Sequence, residues 1–338
     1  MDISEFDYDL PAEAIAQEPI EPRDASRLLV VPGLVDRVFR DLPDLLEPGD
    51  VLVVNRTRVR SARLHARKDT GGVLEVLVTR RLEEGRWEAL VRPARRVRPG
   101  TAFTAGSLRG TVVTGPERGR VEIELEVTGG GDVEAAIERH GTVPLPPYIH
   151  DAPADPERYQ TVYATSVGSA AAPTAGLHVT EELMDRLAAR GVEMAPVELD
   201  VGLATFLPMQ GPTIDDHPMH VERYAVPPRT AAAVERARAG GGRVVAVGTT
   251  VVRTLEAASA TGRLVAGEGE TDLFITPGHR FRSVDAVVTN FHAPRTTLLV
   301  MLAAMVGDRW RAAYRHALDR GYRFLSFGDA MYIAEVPR

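Results

Sequence analysis

The chain of 338 residues contains no cysteine. That excludes a disulfide scaffold, thiolate metal sites, iron–sulfur clusters and a cysteine nucleophile. It contains a single lysine, Lys68, among 40 basic residues, so arginine carries nearly all the positive charge. Codon bias in a GC-rich genome accounts for this, and a role for arginine's planar phosphate-reading fork needs support beyond composition. Long apolar runs are missing too: the longest, Leu298 to Val306, is about half of the ~20 residues a membrane span needs. The opening residues carry Asp2, Glu5, Asp7 and Asp9 in place of a basic stretch followed by an apolar one. The expectation is a soluble, cytoplasmic protein.

What is present fits a globular chain. With 44% apolar and 26% charged residues, a sizeable core can form, and the length suits two ordinary domains or one with an insertion. The net charge of −7 excludes a uniformly basic coat. Charge is nonetheless uneven, because residues 56–120 hold 16 basic against 6 acidic side chains. A strongly basic segment inside an acidic host points to an anionic partner such as a nucleic acid.

That segment has strand character. Val73–Val78, Trp87–Val91 and the alternating Val121–Val127 are short β-type runs, separated by turn clusters at 70–72, 83–85, 114–116 and 129–131. This spacing predicts a small antiparallel barrel or sandwich. Outside it, strands alternate with helices. Thr180 caps a helix that Gly191 ends, Arg243–Val247 leads through Gly248 into a helix from Val251, and helices are expected at Thr297–Val306 and Asp308–Arg320. Phe274–Ile275, Val284–Val288 and Tyr322–Phe327 read as strands. The fold class is therefore α/β: a mixed α/β main domain, residues 1–62 and 150–338, with an inserted small antiparallel β-barrel domain at 63–149 entered and left by loops such as Pro144–Pro147.

Several segments offer chemistry. Val51–Val54 runs into Asn55, Arg56, Thr57 and Arg58, and polar residues at a strand mouth are where α/β folds place ligands. Val247-Gly-Thr-Thr250 precedes a helix and offers free N–H groups and hydroxyls to an anion or ribose, although it lacks a dinucleotide fingerprint or a P-loop lysine. Ala170–His178 is rich in small residues that admit a close backbone or flat ligand. His217 and His220 with Glu222 resemble metal ligands only loosely, since Pro218 keeps the histidines off one helical face, and no metal is expected. Thr289-Asn-Phe-His292 again ends an apolar strand in Asn and His. If the strands ending at Asn55 and Asn290 are parallel neighbours, both asparagines face one crevice. No Gly-x-Ser-x-Gly nucleophile elbow occurs.

Taken in order, these stretches resemble one family, the S-adenosylmethionine:tRNA ribosyltransferase-isomerases of queuosine biosynthesis. The resemblance rests on Phe6–Pro11, Pro22–Arg27, Gly49–Asn55, Pro144–Ile149, Tyr159–Ala164, Ala171–His178, Met219-His220 with Glu222, Val247–Arg253, Asn290–His292 and Gly328–Met331. It implies transfer and isomerisation of the ribosyl group of S-adenosylmethionine, a consumed substrate, onto 7-aminomethyl-7-deazaguanine at the wobble position of tRNAs with a GUN anticodon. Epoxyqueuosine-tRNA, adenine and methionine would result. A base must take a proton beside the sulfonium, adenine must leave, and the sugar must stay dry. The acid–base groups in the matched motifs are His178, His220, Glu222 and His292, with Asp200 a further base, and the assignment among them stays open. Asn55, Thr57, Arg58, Thr174, Gly176, Gly248, Thr249, Arg253 and Asn290 are implied to bind substrate. Arg92, Arg95, Arg96 and Arg98 of the basic segment are implied to bind tRNA phosphates. The sequence does not show the oligomeric state, and a monomer is the expectation.

The match has departures. Where the family usually reads Leu-His-Val-Gly-x-Gly-Thr-Phe, this chain has Asp200 for the histidine and Ala204 for the glycine; Val179 and Arg56 also differ. Two alternatives follow: a paralogue that binds RNA or an adenosyl ligand without this chemistry, and a ribosyl transferase with a different acceptor.

Overall fold

A computed structural model describes every residue except Arg118, Asp151, Ala152, Leu203, Ala204, Phe206 and Leu207. The chain divides into two compact units, Met1–Arg58 with Pro146–Arg338, and Val59–Leu145. Each boundary of the inserted unit lies four residues before the expected 63–149.

The larger unit is built on a nine-stranded sheet in the order Gly267–Thr271, Glu222–Val226, Glu193–Leu199, Val51–Asn55, Val244–Val247, Ala286–Asn290, Ala330–Ile333, Arg27–Val31 and Val35–Val38. Glu193–Leu199, Val51–Asn55, Val244–Val247 and Ala286–Asn290 are mutually parallel, so their carboxyl ends share one edge. All residues of the last three are buried, as expected for strands covered on both faces. Alternation sorts them. Val51, Val53, Val244 and Ala246 pack with the helices Pro228–Ala239, Thr249–Ala258, Thr297–Val306 and Arg309–Asp319. Leu52, Val54, Val245 and Val247 pack on the other face with the helix Glu181–Ala189 and the 3-10 segment Phe39–Leu45. The Thr180 hydroxyl accepts from the N–H of Leu183 at 3.1 Å, the expected N-cap. No helix among the described residues is long and apolar enough to cross a membrane.

The smaller unit is a closed six-stranded antiparallel barrel in the order Arg120–Val127, Arg86–Arg92, Val73–Glu83, Arg63–Lys68, Ala102–Ala105 and Leu108–Glu117. Val121, Ile123 and Leu125 point inward and are buried, while Glu122, Glu124 and Glu126 between and after them face out, so the period-two pattern read from sequence is the barrel's inside and outside.

Two expected strands do not form. Phe274–Ile275 is irregular, and Tyr322–Phe327 makes only an isolated bridge at Phe324. The aromatic side chains of that second run explain the misreading: Tyr322 and Phe324 fill a cluster with Phe291 and Tyr314 instead of lining a sheet. Among the strands that sequence periodicity missed are Ala330–Ile333, just beyond, and Arg27–Val31, Val35–Val38, Glu193–Leu199, Glu222–Val226 and Gly267–Thr271.

Candidate active site

The carboxyl ends of Val244–Val247 and Ala286–Asn290 open into a cleft, the place where open α/β sheets set their ligands. Gly248 shapes its floor. Its φ of +92°, which L-residues rarely adopt, turns the chain from strand into the helix Thr249–Ala258, and its N–H donates to the Val288 carbonyl at 2.7 Å. The two strand ends are thereby tied together. The other walls come from Ala172–Ala175, Tyr148, Val201, Thr205 and the Leu325-Ser326 turn. Among the described residues no charged side chain lines the cleft; its polar groups are hydroxyls, one amide and one imidazole.

Asn290 organises one side. Its Oδ1 accepts from the Thr174 hydroxyl at 2.8 Å, and its Nδ2 donates to the Asp329 carbonyl at 3.4 Å and to Nε2 of His178 at 3.3 Å. Because a carbonyl only accepts, the amide orientation is determined, and Nε2 of His178 must be the acceptor. Its Nδ1 therefore carries the proton and donates to the Ser26 hydroxyl at 2.8 Å. Burial, reinforced by the Arg323 guanidinium, pushes His178 down to about pKa 3, so it is neutral at physiological pH. His178 does not line the cleft. It stands behind Asn290 and fixes it.

His292 does line the cleft. Its backbone is held from two sides: its N–H donates to the Tyr314 hydroxyl at 2.7 Å, and its carbonyl accepts from the Tyr8 hydroxyl at 2.6 Å. Nε2 lies 3.0 Å from the Thr289 hydroxyl. Burial alone pushes this imidazole down to about pKa 3 as well. Tyr148, the other titratable wall group, has its phenol 2.7 Å from the Ser326 hydroxyl, and burial raises its pKa above the usual range.

The remaining sequence candidates lie elsewhere. Asn55 and Asn290 are on parallel strands, but Val244–Val247 runs between them, so the shared crevice expected for neighbours does not form. Asn55 is fully buried and clamps two strand ends: Oδ1 accepts from the Thr57 N–H at 3.1 Å and the Leu199 N–H at 3.3 Å, while Nδ2 donates to the Leu199 carbonyl at 3.1 Å. The Thr57 hydroxyl joins that clamp. Arg58 donates to Glu157. Gly176 is buried where the Tyr163 hydroxyl would stand 1.9 Å from a Cβ, so its small size serves packing.

Glu222 and Arg253 form a buried ion pair. Glu222 also accepts the Gly202 N–H at 2.9 Å, and Arg253 donates to the Leu273 carbonyl at 3.1 Å. Burial lowers Arg253 to about pKa 10, leaving it charged at neutral pH. The pair thus anchors the chain next to Val201 and does not itself line the cleft. His220 is exposed. Asp200 does not line the cleft: its carboxylate packs on Gly168, where a Cβ would lie 2.7 Å from Oδ1. Ala204 lies outside the described residues. In the barrel, Arg92, Arg95, Arg96 and Arg98 are exposed on one connection, and no carboxylate pairs with them among the described residues. Neighbouring barrel arginines are paired, Arg86 with Glu124, Arg109 with Asp69 and Arg120 with Glu88.

Sequence reasoning reached the Thr250 hydroxyl but missed Tyr148, Thr289, Ser326 and Leu325 as wall residues. Tyr148 and Thr289 stood inside recognised motifs. Ser326 and Leu325 were hidden by the strand reading of Tyr322–Phe327, although Leu325 adopts a φ of +69°, a costly conformation for a bulky residue that strand logic cannot foresee.

Comparison with known proteins bears on what this cleft does. The profile of the family described as "Queuosine biosynthesis protein" matches residues 3–333. The chain is 55% identical to the S-adenosylmethionine:tRNA ribosyltransferase-isomerase of Symbiobacterium thermophilum over 98% of this chain and 100% of that protein. It is 53% identical to the protein of the same name from an Anaeromyxobacter species, over 99% of this chain and 100% of the relative. Among solved structures it resembles the crystal structure of S-adenosylmethionine tRNA ribosyltransferase from Thermotoga maritima, with 40% identity, a TM-score of 0.56, and coverage of 98% of this chain and 100% of that one.

Proposed function

The chain belongs to the queuosine biosynthesis protein family, and from that premise we propose that it is an S-adenosylmethionine:tRNA ribosyltransferase-isomerase whose reacting centre is the cleft around Asn290 and His292. The observation that carries the activity is identity of about half the residues, end to end, with relatives bearing that name. A paralogue that only binds, or one with another acceptor, is not favoured by so complete a match. Asp200, the motive for both alternatives, does not line the cleft. The acceptor we assign is 7-aminomethyl-7-deazaguanine at the wobble position of tRNAs with a GUN anticodon, and the enzyme works where that tRNA is, in the cytoplasm, as a monomer.

S-adenosylmethionine is consumed as substrate. The cleft suits it: apolar and small walls keep a sugar dry, while the Thr174 hydroxyl and the Asn290 side-chain oxygen each keep a lone pair to accept from ribose hydroxyls. His292 is the group that exchanges a proton with the substrate. It is the one imidazole on the described wall, its backbone is pinned by Tyr8 and Tyr314, and it is neutral and able to accept. His178 acts through Asn290 and does not touch substrate. The four unpaired arginines supply phosphate contacts for the tRNA.

Incubation with S-adenosylmethionine and tRNA bearing the deazaguanine, followed by nuclease digestion and mass spectrometry, tests the reading. Adenine and epoxyqueuosine together are the expected products. Adenine without the modified nucleoside would move the assignment to another acceptor, and neither product from folded protein would leave a binding paralogue.

A further inference from the structure

S-adenosylmethionine carries a carboxylate, yet no lysine or arginine lines the described wall of the cleft to meet it. Residues 203, 204, 206 and 207, beside the wall residue Thr205, are Leu, Ala, Phe and Leu and bring no charge either. What positive potential the cleft has comes from the backbone. The helix Thr249–Ala258, ten residues long, starts at its edge, and its N-cap is Gly248, which has no side chain to cap it. Among the described residues the N–H groups of Thr249 and Thr250 donate to no acceptor. Such an end holds roughly half a positive charge, with its first donors free.

A second observation points to a ligand at the same place. Thr250 lines the cleft, the residue is only 9% exposed, and its buried hydroxyl has no hydrogen-bond partner. An unpartnered buried hydroxyl costs on the order of 1–3 kcal/mol and persists where something else completes it.

We propose that the N–H groups of Thr249 and Thr250 and the Thr250 hydroxyl form an oxyanion site for the carboxylate of the methionyl group of S-adenosylmethionine. This rests on the reading of the cleft as the S-adenosylmethionine site. A tRNA phosphate shares the oxyanion chemistry, but a phosphodiester is flanked by nucleotides on both sides and needs an open groove. The Thr250 hydroxyl is almost wholly enclosed, and a terminal carboxylate on a flexible chain reaches it. With that end of the substrate held by the helix, Thr174, Asn290 and His292 elsewhere on the wall are left for the sugar.

Two variants test this. Thr250→Val deletes the hydroxyl at nearly constant shape, and Thr249→Pro deletes one N–H at the first helical position, where proline is tolerated. Thr250→Ser is the rescue control, and thermal melts establish that each protein is folded. In the tRNA-dependent assay of adenine release, both variants raise the KM for S-adenosylmethionine roughly tenfold, the size of one hydrogen bond to a charged group. The KM for tRNA is unchanged. S-adenosylhomocysteine, which keeps the carboxylate, weakens as an inhibitor by a similar factor, whereas 5′-methylthioadenosine, which lacks the amino-acid part, does not. Equal weakening of both inhibitors overturns the assignment. A raised KM for tRNA alone makes the anion a phosphate and overturns it as well. If neither compound inhibits the unmodified enzyme, the reading of the cleft itself fails, which is a different result from a failed carboxylate site.

Discussion

Asn290 and His178 are joined by one hydrogen bond, Nδ2 to Nε2 at 3.3 Å, and that bond runs from the wall of the cleft into the protein interior. With the amide of the asparagine oriented by the Asp329 carbonyl, it decides the tautomer of the histidine. Ser26 completes the chain on the far side. The imidazole is thus a neutral strut for a cleft-facing amide, a role open to it only because burial holds it well below its usual range.

Two buried neutral histidines make stability pH-dependent. The folded pKa of His178 and of His292 is about 3, against 6.5 for the free side chain. Between those values the unfolded chain binds protons that the folded chain refuses, so stability is full above about pH 6.5 and falls as the pH drops towards 3. The slope is up to about 1.4 kcal/mol per pH unit for each histidine. Urea-unfolding midpoints between about pH 7 and about pH 5 check this. His178→Asn is expected to flatten the profile, and an unchanged slope in that variant would contradict the neutral state of His178.

Removal of the His292 imidazole should strike the chemical step. His292→Asn keeps a polar side chain and is expected to lower the rate of adenine release by about 10²-fold or more while leaving tRNA affinity unchanged. Since neither buried histidine titrates near neutrality, the rate profile of the unmodified enzyme should show no inflection from them near pH 6.5. A His292→Asn enzyme within about threefold of the original rate would remove this residue from the mechanism.

The Glu222–Arg253 pair is buried on both sides, with side-chain exposures of 6% and 7%. Breaking such a pair strands a charge, so Glu222→Gln is expected to cost about 3–5 kcal/mol of stability. The double replacement Glu222→Gln with Arg253→Met should recover much of that, because no buried charge is then left alone. Chemical denaturation of the three proteins measures the coupling, and additive losses would mean the two side chains act independently.

The unpaired arginines of the barrel make a salt-dependent prediction. Replacing Arg95 and Arg96 by alanine is expected to weaken tRNA binding and to make the slope of log K against log salt shallower by about one to two. The KM for S-adenosylmethionine should not change. Filter binding at several salt concentrations reads this directly, and an unaltered slope would mean these guanidinium groups meet no phosphate.

Much of the architecture was written in local patterns. The alternation in Val121–Val127, the glycine and proline turns around it, and the apolar runs at Val51 and Val244 determined strands of the right kind in the right units, because side-chain period and burial on one or both faces are local consequences of sequence. The cap at Thr180 and the strand-to-helix turn at Gly248 were legible for the same reason. Which polar residues meet was decided only by tertiary structure. Asn55 and Asn290 end similar strands, yet one is consumed in clamping Leu199 and the other faces the cleft, because strand order inserts Val244–Val247 between them. His178 and His292 occupy similar motifs, and only packing puts one behind the wall and the other on it. Glu222 reads as an acid–base group until Arg253, 31 residues away, neutralises it in the interior. Sequence dictates which groups exist and which way each strand presents them; strand order and burial dictate which of them keep a free hydrogen-bonding valence for a substrate.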